Sequence, residues 1–191
     1  MRGDYTLAFM RITTGIAKGR KLQSVTDPGT RPITDKVKQA LFSILGDDVR
    51  DSLWLDLFGG TGAVGLEALS RGAKSVTFVD TSLPAVKVMQ ANLRTLGFDR
   101  TAHVLKQDAF RYLDALPNAK YNFIYVAPPQ YKGLWLQALG AIDARPDWLA
   151  EGGCVICQID PREFGDMELK HLERSDDRKY GKTMLCFYDL K

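Results

Sequence analysis

Residues 55–72 read LDLFGGTGAVGLEALSRG, and the order of residue types in this stretch decides the fold. An apolar, strand-like run reaches Asp56. Glycines follow at 59, 60 and 62, then a helix-like run that Gly72 ends. A strand, a glycine turn and a helix in this order form the opening unit of an open α/β sheet. Such sheets bind ligands at the C-terminal ends of their strands. Gly60 and Gly62 let the backbone bend and pass close to a bound molecule. Asp56 stands ahead of the glycines, which separates this stretch from the G-x-G-x-x-G turn that sets a helix N-terminus under a pyrophosphate. A carboxylate there would repel a pyrophosphate and attract an ammonium group.

The next acids extend the pattern. Asp80 ends the run SVTFVD, about 20 residues after the glycines, where an acid accepts hydrogen bonds from ribose hydroxyls in nucleotide-binding folds. Asp108, in LKQDAF, follows a third strand-like run and is placed to bond an adenine amino group. S-adenosylmethionine fits this set, because it carries an ammonium, a sulfonium, a ribose and an adenine, and no phosphate. The expected pocket comprises Asp56, Phe58, Gly59, Gly60, Thr61, Gly62, Asp80, Thr81, Asp108 and Ala109. Each acid has a plainer reading: Asp56 and Asp80 as turn formers, Asp108 as a helix N-cap. Three acids at successive strand ends around one glycine turn point instead to one pocket.

Outward from this unit, short apolar runs alternate with helical ones. SVTFVD, AHVLK, YNFIYV and GGCVICQI read as further strands, with helices in LPAVKVMQANLRTLG, AFRYLDAL and LWLQALGAI. Apolar strands without alternation are buried on both faces, and the strand–helix rhythm predicts right-handed crossovers and a doubly wound parallel sheet. Residues 167–190 add two strands around Gly181, expected as an antiparallel pair at one edge. That makes a seven-stranded, mostly parallel α/β sheet. Ahead of it, RITTG and RKLQSV flank IAKG as a hairpin, DPGTRPI breaks regular structure, and TDKVKQALFSILGDD reads as a helix capped by Thr34 and stopped by Gly46. The expected division is a hairpin-and-helix extension over 1–48 and a main domain over 49–191.

The charge is uneven. Residues 1–40 hold eight Lys or Arg against three acids, a net of +5, while the remainder holds 18 basic and 20 acidic residues, a net of −2. A basic end on a near-neutral body predicts an arm that binds a polyanion. A solvated lysine-rich surface is the plainer alternative. No apolar run approaches the roughly 18–20 residues of a membrane-spanning helix. The start, MRGDYTLAFMRITTG, lacks the apolar core of a signal peptide, so the expected location is the cytoplasm, and Met10 is a second plausible start. Cys154 and Cys157 form a C-x-x-C, but on a strand residues three apart face opposite sides. Buried reduced thiols are expected, with no metal.

Several stretches together carry a resemblance: GIAKGRKL, TRPITDKVKQALFSIL, DLFGGTGAVGLEALSRGA, FVD, QDAF and the Pro-Pro after the fourth strand, in this order and spacing. From about Met10 onward the chain resembles the bacterial 16S ribosomal RNA guanine-N2 methyltransferases of the small-subunit methyltransferase D type. The resemblance implies a Rossmann-like S-adenosylmethionine-dependent fold with an N-terminal β-hairpin and helix extension. It also implies methyl transfer to a guanine exocyclic amine in ribosomal RNA, free or within a small-subunit assembly intermediate. RNA would lie on Arg11, Lys18, Arg20, Lys21, Arg31 and Thr34, with closure of the TRPIT loop over the cofactor as the alternative for the last two, and the protein is expected to act as a monomer.

One departure stands out. In that family the fourth strand ends in Asp-Pro-Pro-Phe or Asp-Pro-Pro-Tyr, the acid accepting a hydrogen bond from the target amine and the ring stacking on the flipped base. Here it ends Ala127-Pro128-Pro129-Gln130, with Tyr131 one position later. The expectation is that the Ala127 or Pro128 carbonyl takes over the acceptor role and that Tyr131 or Gln130 meets the base. Two alternatives stay open: a cofactor-binding ribosome-assembly factor without turnover, which Ala127 favours, and a DNA or small-molecule N-methyltransferase. The basic end argues against a small molecule, and the lack of a separate target-recognition domain argues against sequence-specific DNA.

Overall fold

The computed structural model describes residues 10–24 and 33–191. After a basic strap over residues 10–24 the elements run α1 (Asp35–Leu45), β1 (Leu53–Asp56), α2 (Ala63–Ser70), β2 (Ser75–Asp80), α3 (Leu83–Leu96), β3 (Ala102–Lys106), α4 (Ala109–Asp114), β4 (Tyr121–Val126), α5 (Leu134–Asp143), β5 (Leu149–Ile159), β6 (Leu172–Tyr180) and β7 (Thr183–Leu190). The strands form one sheet in the order β3-β2-β1-β4-β5-β7-β6. The first five are parallel, β7 runs antiparallel to β5, and β6 runs antiparallel to β7. This is the mixed seven-stranded, Rossmann-like sheet that the alternating pattern predicts. The chain winds outward from β1 through β2 to β3, then crosses to β4 on the other side. The strand order therefore reverses beside β1, where open α/β sheets carry their ligands.

Each sheet face has its own core. On one face Trp54, Phe78, Phe123, Tyr125 and Ile156 pack with α1, α2, α3 and the strap. On the other, Leu55, Val79, Ile124, Val126 and Cys157 pack with α4 and α5. Cys154 belongs to the first core and Cys157 to the second, so the two thiols do face apart. β3 is less buried than its apolar sequence implies, because it is an edge of the sheet. The opposite edge, β6, exposes Glu173, Arg174, Asp177, Arg178 and Lys179, and a bulge between Arg174 and Asp176 shifts its register.

The strap is the expected hairpin in outline. Ile12 N–H donates to the Arg20 carbonyl at 2.9 Å, Leu22 N–H donates to that of Met10 at 2.8 Å, and Arg11 bridges Lys21. Thr34 caps α1, its hydroxyl accepting from the Val37 N–H, and Gly46 ends the helix. Most of the DPGTRPI break, and Arg31 within it, lies outside the described residues.

Side chains of α2 and α3 hold the strap down. Glu67 on α2 is fully buried. It accepts from the Thr13 N–H at 2.8 Å, the Thr13 hydroxyl at 2.7 Å, the Thr14 N–H at 2.9 Å and Arg71 Nε at 3.1 Å. Lys38 of α1 approaches it at 3.3 Å and also donates to the Arg11 carbonyl. The basic count at the chain's start includes Lys38, yet it is 1% exposed and faces inward. Burial draws its pKa below the ordinary lysine value despite the pull of Glu67. Ser70 accepts from the Ala17 N–H and donates to the Thr14 carbonyl. Gly15 has φ +83°, and a Cβ there would stand 1.8 Å from the Ser70 carbonyl oxygen, so only glycine lets the strap approach this closely. On α3, Asn92 bonds both backbone groups of Gln23 and the carbonyl of Thr61.

Removing one partner of a buried ion pair leaves the other charge uncompensated, which costs about 3–5 kcal/mol. Arg71 and the strap donors stay with Glu67 when Lys38 is lost, so Lys38→Met is expected to lower stability by less than that full amount in urea unfolding, with residues 10–24 losing hydrogen-exchange protection first. Lys36→Met, at an exposed position of the same helix, should change stability by less than about 0.5 kcal/mol.

Candidate active site

A cavity of about 360 Å³ opens at the C-terminal ends of β1, β2, β3 and β4, where the strand order reverses. Asp56, Phe58, Gly59, Gly60, Thr61, Asp80, Thr81, Asp108 and Ala109 line it, and so do Ala127, Pro128, Pro129 and Gln130. The glycine turn and the Ala-Pro-Pro-Gln segment, about seventy residues apart, are thus two walls of one chamber. Gly60 has φ +54°, and a Cβ built on it meets only the Phe58 carbonyl, at 3.9 Å, so the backbone here is bare toward open space.

The three acids are held differently. Asp80 is braced on both oxygens: Oδ2 accepts from the Gly60 N–H and Oδ1 from the Ser82 N–H, each at 2.8 Å. It fixes the glycine turn while keeping lone pairs to offer. Asp108 caps α4, its Oδ1 accepting from the Phe110 and Arg111 N–H groups at 3.0 Å. That is the plainer role open to it, and it commits only one of the two oxygens. Asp56 is 2% exposed, and its one bond, from the Gly65 N–H to Oδ2, is long at 3.4 Å. Among the described residues its Oδ1 is the one buried side-chain polar atom without a partner. Burial, with the Asp80 charge adding, pushes its pKa up to about 8. A buried carboxylate left short of donors is poised for a cation.

Two expected residues stand apart from the cavity. Gly62, at φ +76°, is the N-cap of α2, and a Cβ there would press on Met89, Leu66 and Phe78. Its smallness serves packing beneath the turn. Tyr131, expected to meet a base, does not line the cavity. Its backbone is left-handed, at φ 62°, and the exposed ring turns outward. The hydroxyl donates to Asp160 at 2.7 Å, the Arg162 guanidinium lies 5.3 Å from the ring centroid, and the Tyr131 N–H donates to Glu163.

Other lining residues carried no sequence flag: Ile33, Gln107, Phe110, Leu134, Tyr125 and Gln158. Ile33 brings the start of α1 over the chamber. Tyr125 donates to Gln158 Oε1 at 2.6 Å, and both are buried. A polar residue near the end of the apolar run GGCVICQI was the available signal for Gln158. Tyr125 could have been found by strand alternation, two residues before Ala127.

On the strap, Arg11, Lys18, Arg20 and Lys21 are all exposed. Arg11 pairs with Asp35 at 2.8 Å, and Arg20 donates to the Thr95 carbonyl at 2.7 Å. Thr34 is spent on capping α1. No group of His, Cys, Asp and Glu among the described residues has a metal-binding arrangement, and no described helix is long and apolar enough to cross a membrane.

Residues 10–189 match the model of the family described as Conserved hypothetical protein 95. The chain is 36% identical over 142 residues to the Escherichia coli (strain K12) protein named Ribosomal RNA small subunit methyltransferase D, covering 74% of this chain and 70% of that protein. Among solved structures, the E. coli protein yhhF superimposes with a TM-score of 0.85 at 28% identity, covering 96% of this chain and 98% of that one. An RNA methyltransferase from Salinibacter ruber, solved with S-adenosyl-L-homocysteine, shares the fold at a TM-score of 0.64 and 12% identity, covering 84% of this chain and 94% of its own.

The Asp56 environment sets a pH dependence. Its folded pKa lies above the unfolded value of about 3.9, so between the two the folded state holds a proton that the unfolded state releases. Its contribution to stability is complete below the unfolded pKa and is lost as pH rises toward about 8. Urea unfolding of the ligand-free protein and of Asp56→Asn, at pH 5 and pH 8, is expected to show the parent losing more stability across the interval. Parallel curves for the two proteins would contradict the raised pKa.

Proposed function

The chain belongs to the Conserved hypothetical protein 95 family, and from that premise we propose that it is an S-adenosylmethionine-dependent methyltransferase acting on the exocyclic N2 amine of a guanine in small-subunit ribosomal RNA. The observation that carries the reading is the 36% identity to a ribosomal RNA small subunit methyltransferase. The cavity supplies matching chemistry. The unpartnered Asp56 Oδ1 suits the ammonium of the cofactor's amino-acid end, the braced Asp80 its ribose hydroxyls, and the unused Asp108 oxygen its adenine amine. Phe58, Gly59, Gly60, Thr61, Thr81 and Ala109 would form the walls around it. When bound, S-adenosylmethionine would supply an electrophilic methyl carbon. This chain's residues would orient the amine toward that carbon. The base would enter past Pro128, Pro129 and Gln130, whose backbone the two prolines stiffen. RNA would track the strap through Arg11, Lys18, Arg20 and Lys21, and Arg31, outside the described residues, belongs to the same basic set. Such a protein acts in the cytoplasm, on free RNA or an assembling subunit.

Ala127 favours a second reading, a ribosome-assembly factor that binds the cofactor and transfers nothing. Labelled S-adenosylmethionine, offered with 30S particles, assembly intermediates and bare 16S RNA from a strain lacking the modification, separates the two. Label in a guanine from the parent protein supports the enzyme. Label in none of the three supports the binding factor.

Two further outcomes are expected. Gly60→Val fills the bare face of the turn and strains a positive φ, so calorimetry should show cofactor affinity falling by at least tenfold. Asp80→Ala should do likewise, because it loses the ribose acceptor and the brace on the Gly60 N–H. Charge reversal of Lys18 and Arg20 together should weaken RNA binding and flatten its salt dependence, since each phosphate contact releases counterions. Cofactor affinity should stay at the parental value.

A further inference from the structure

We propose that the Gln158 side-chain carbonyl, held in place by Tyr125, is the acceptor that orients the target amine, supplied from β5 where β4 offers only Ala127. The inference rests on the base-amine reading given above. A guanine amine is a poor nucleophile because its lone pair is delocalised into the ring. An acceptor on one N–H turns the nitrogen toward the methyl carbon and stabilises the positive charge the nitrogen gains as it reacts. The side chain at 127 ends at Cβ and accepts nothing.

The sheet brings a substitute alongside. β4 and β5 are parallel, with Val126 beside Cys157. One residue further in the same register, Ala127 and Gln158 are lateral neighbours, and such neighbours project from the same face. Ala127 packs against the core that contains Tyr125 and Ile156, which alternation puts on the face shared by Gln158. Ala127, Tyr125 and Gln158 all line the cavity. The small side chain at 127 leaves the longer amide room to reach the chamber.

The bond between the two polar groups sets their roles. Tyr125 donates its proton to Gln158 Oε1 at 2.6 Å, which locks the amide's orientation. A carbonyl oxygen has two lone pairs, so one is left for an incoming N–H. Burial, together with the nearby Asp56 charge, holds the Tyr125 phenol well above its ordinary pKa. Tyr125 therefore stays protonated and acts as a positioning residue, while Gln158 touches the substrate. In the transfer the N2 lone pair forms the new N–C bond, the pair of the broken S–C bond stays on sulfur, and one amine proton leaves to water. Gln158 stays neutral throughout, because an amide oxygen is too weak a base to keep that proton.

The test uses the full chain, labelled S-adenosylmethionine and hypomethylated 30S particles, with cofactor affinity read by calorimetry and folding by thermal melts. Gln158→Leu is expected to lower kcat about ten- to hundredfold, the range for a lost charge-assisted bond, with cofactor Kd within twofold of the parent. Tyr125→Phe should lower kcat less, because the amide remains but is no longer locked. The double variant Gln158→Leu/Ala127→Asp should recover kcat to within a few fold, since the acid restores an acceptor beside the missing one. A packing role would produce no such rescue. Parental kcat in Gln158→Leu overturns the inference and leaves the task to backbone carbonyls. So does a folded, cofactor-binding double variant that fails to recover. If the parent labels no ribosomal substrate, the base-amine reading itself falls and takes this inference with it. An active parent with an unaffected Gln158→Leu defeats the inference alone.

Discussion

The Glu67 carboxylate sits at zero exposure with donors from three segments around it: two backbone amides and a hydroxyl from the strap, Lys38 from α1, and Arg71 at the C-cap of Glu67's own helix. Taking a charge so far from water is costly unless each lone pair finds a donor. The constraint runs in both directions. The Thr13 and Thr14 amides bond no carbonyl of the hairpin, and Glu67 gives them partners. Glu67 in turn has a place in the core only because the strap and Lys38 surround it. The rest of the N-terminal arrangement follows from this contact. Ser70 and Asn92 continue it along α2 and α3, and Asn92 also takes hold of Thr61 in the glycine turn. The basic segment and the cavity wall therefore share a side chain.

Within the cavity, polarity is graded. Asp80 has two backbone donors, Asp108 has two on a single oxygen, and Asp56 has one long contact with an oxygen left over. The less the protein gives a carboxylate, the more a ligand must. The deepest acid has the greatest unmet need and the raised pKa that goes with it.

Much of this was legible before any coordinates. Strand ends and glycine turns obey local rules, so Asp56, Asp80 and Asp108 could be placed from the rhythm of apolar runs alone. Thr34 and Gly46 announced both ends of α1 for the same reason. What stayed hidden depends on contacts between distant segments. Lys38 reads as one more charge on a basic segment until a glutamate 29 residues later is folded onto it. Gln158 and Tyr125 become a pair only through the register of β4 on β5. Tyr131 stands apart from the cavity because its ring follows a left-handed backbone that sequence gives no reason to expect of a tyrosine. Gly62 reads in the sequence as a ligand contact, and its packing requirement becomes visible only through Met89 and Phe78 from other elements.

The outermost strand, β6, contributes nothing to the cavity, and its composition makes sense on other grounds. A sheet with apolar strands buried on both faces still ends in a row of unpaired amides and carbonyls, which is a template for any passing strand. β6 presents at that border glutamate, arginine, aspartate and lysine, with a bulge that breaks the even spacing a newcomer would have to match. Adding a strand there would bring charges against charges and misalign the ladder. The strand furthest from the chemistry thus carries the charges and the bulge that disfavour the addition of another strand.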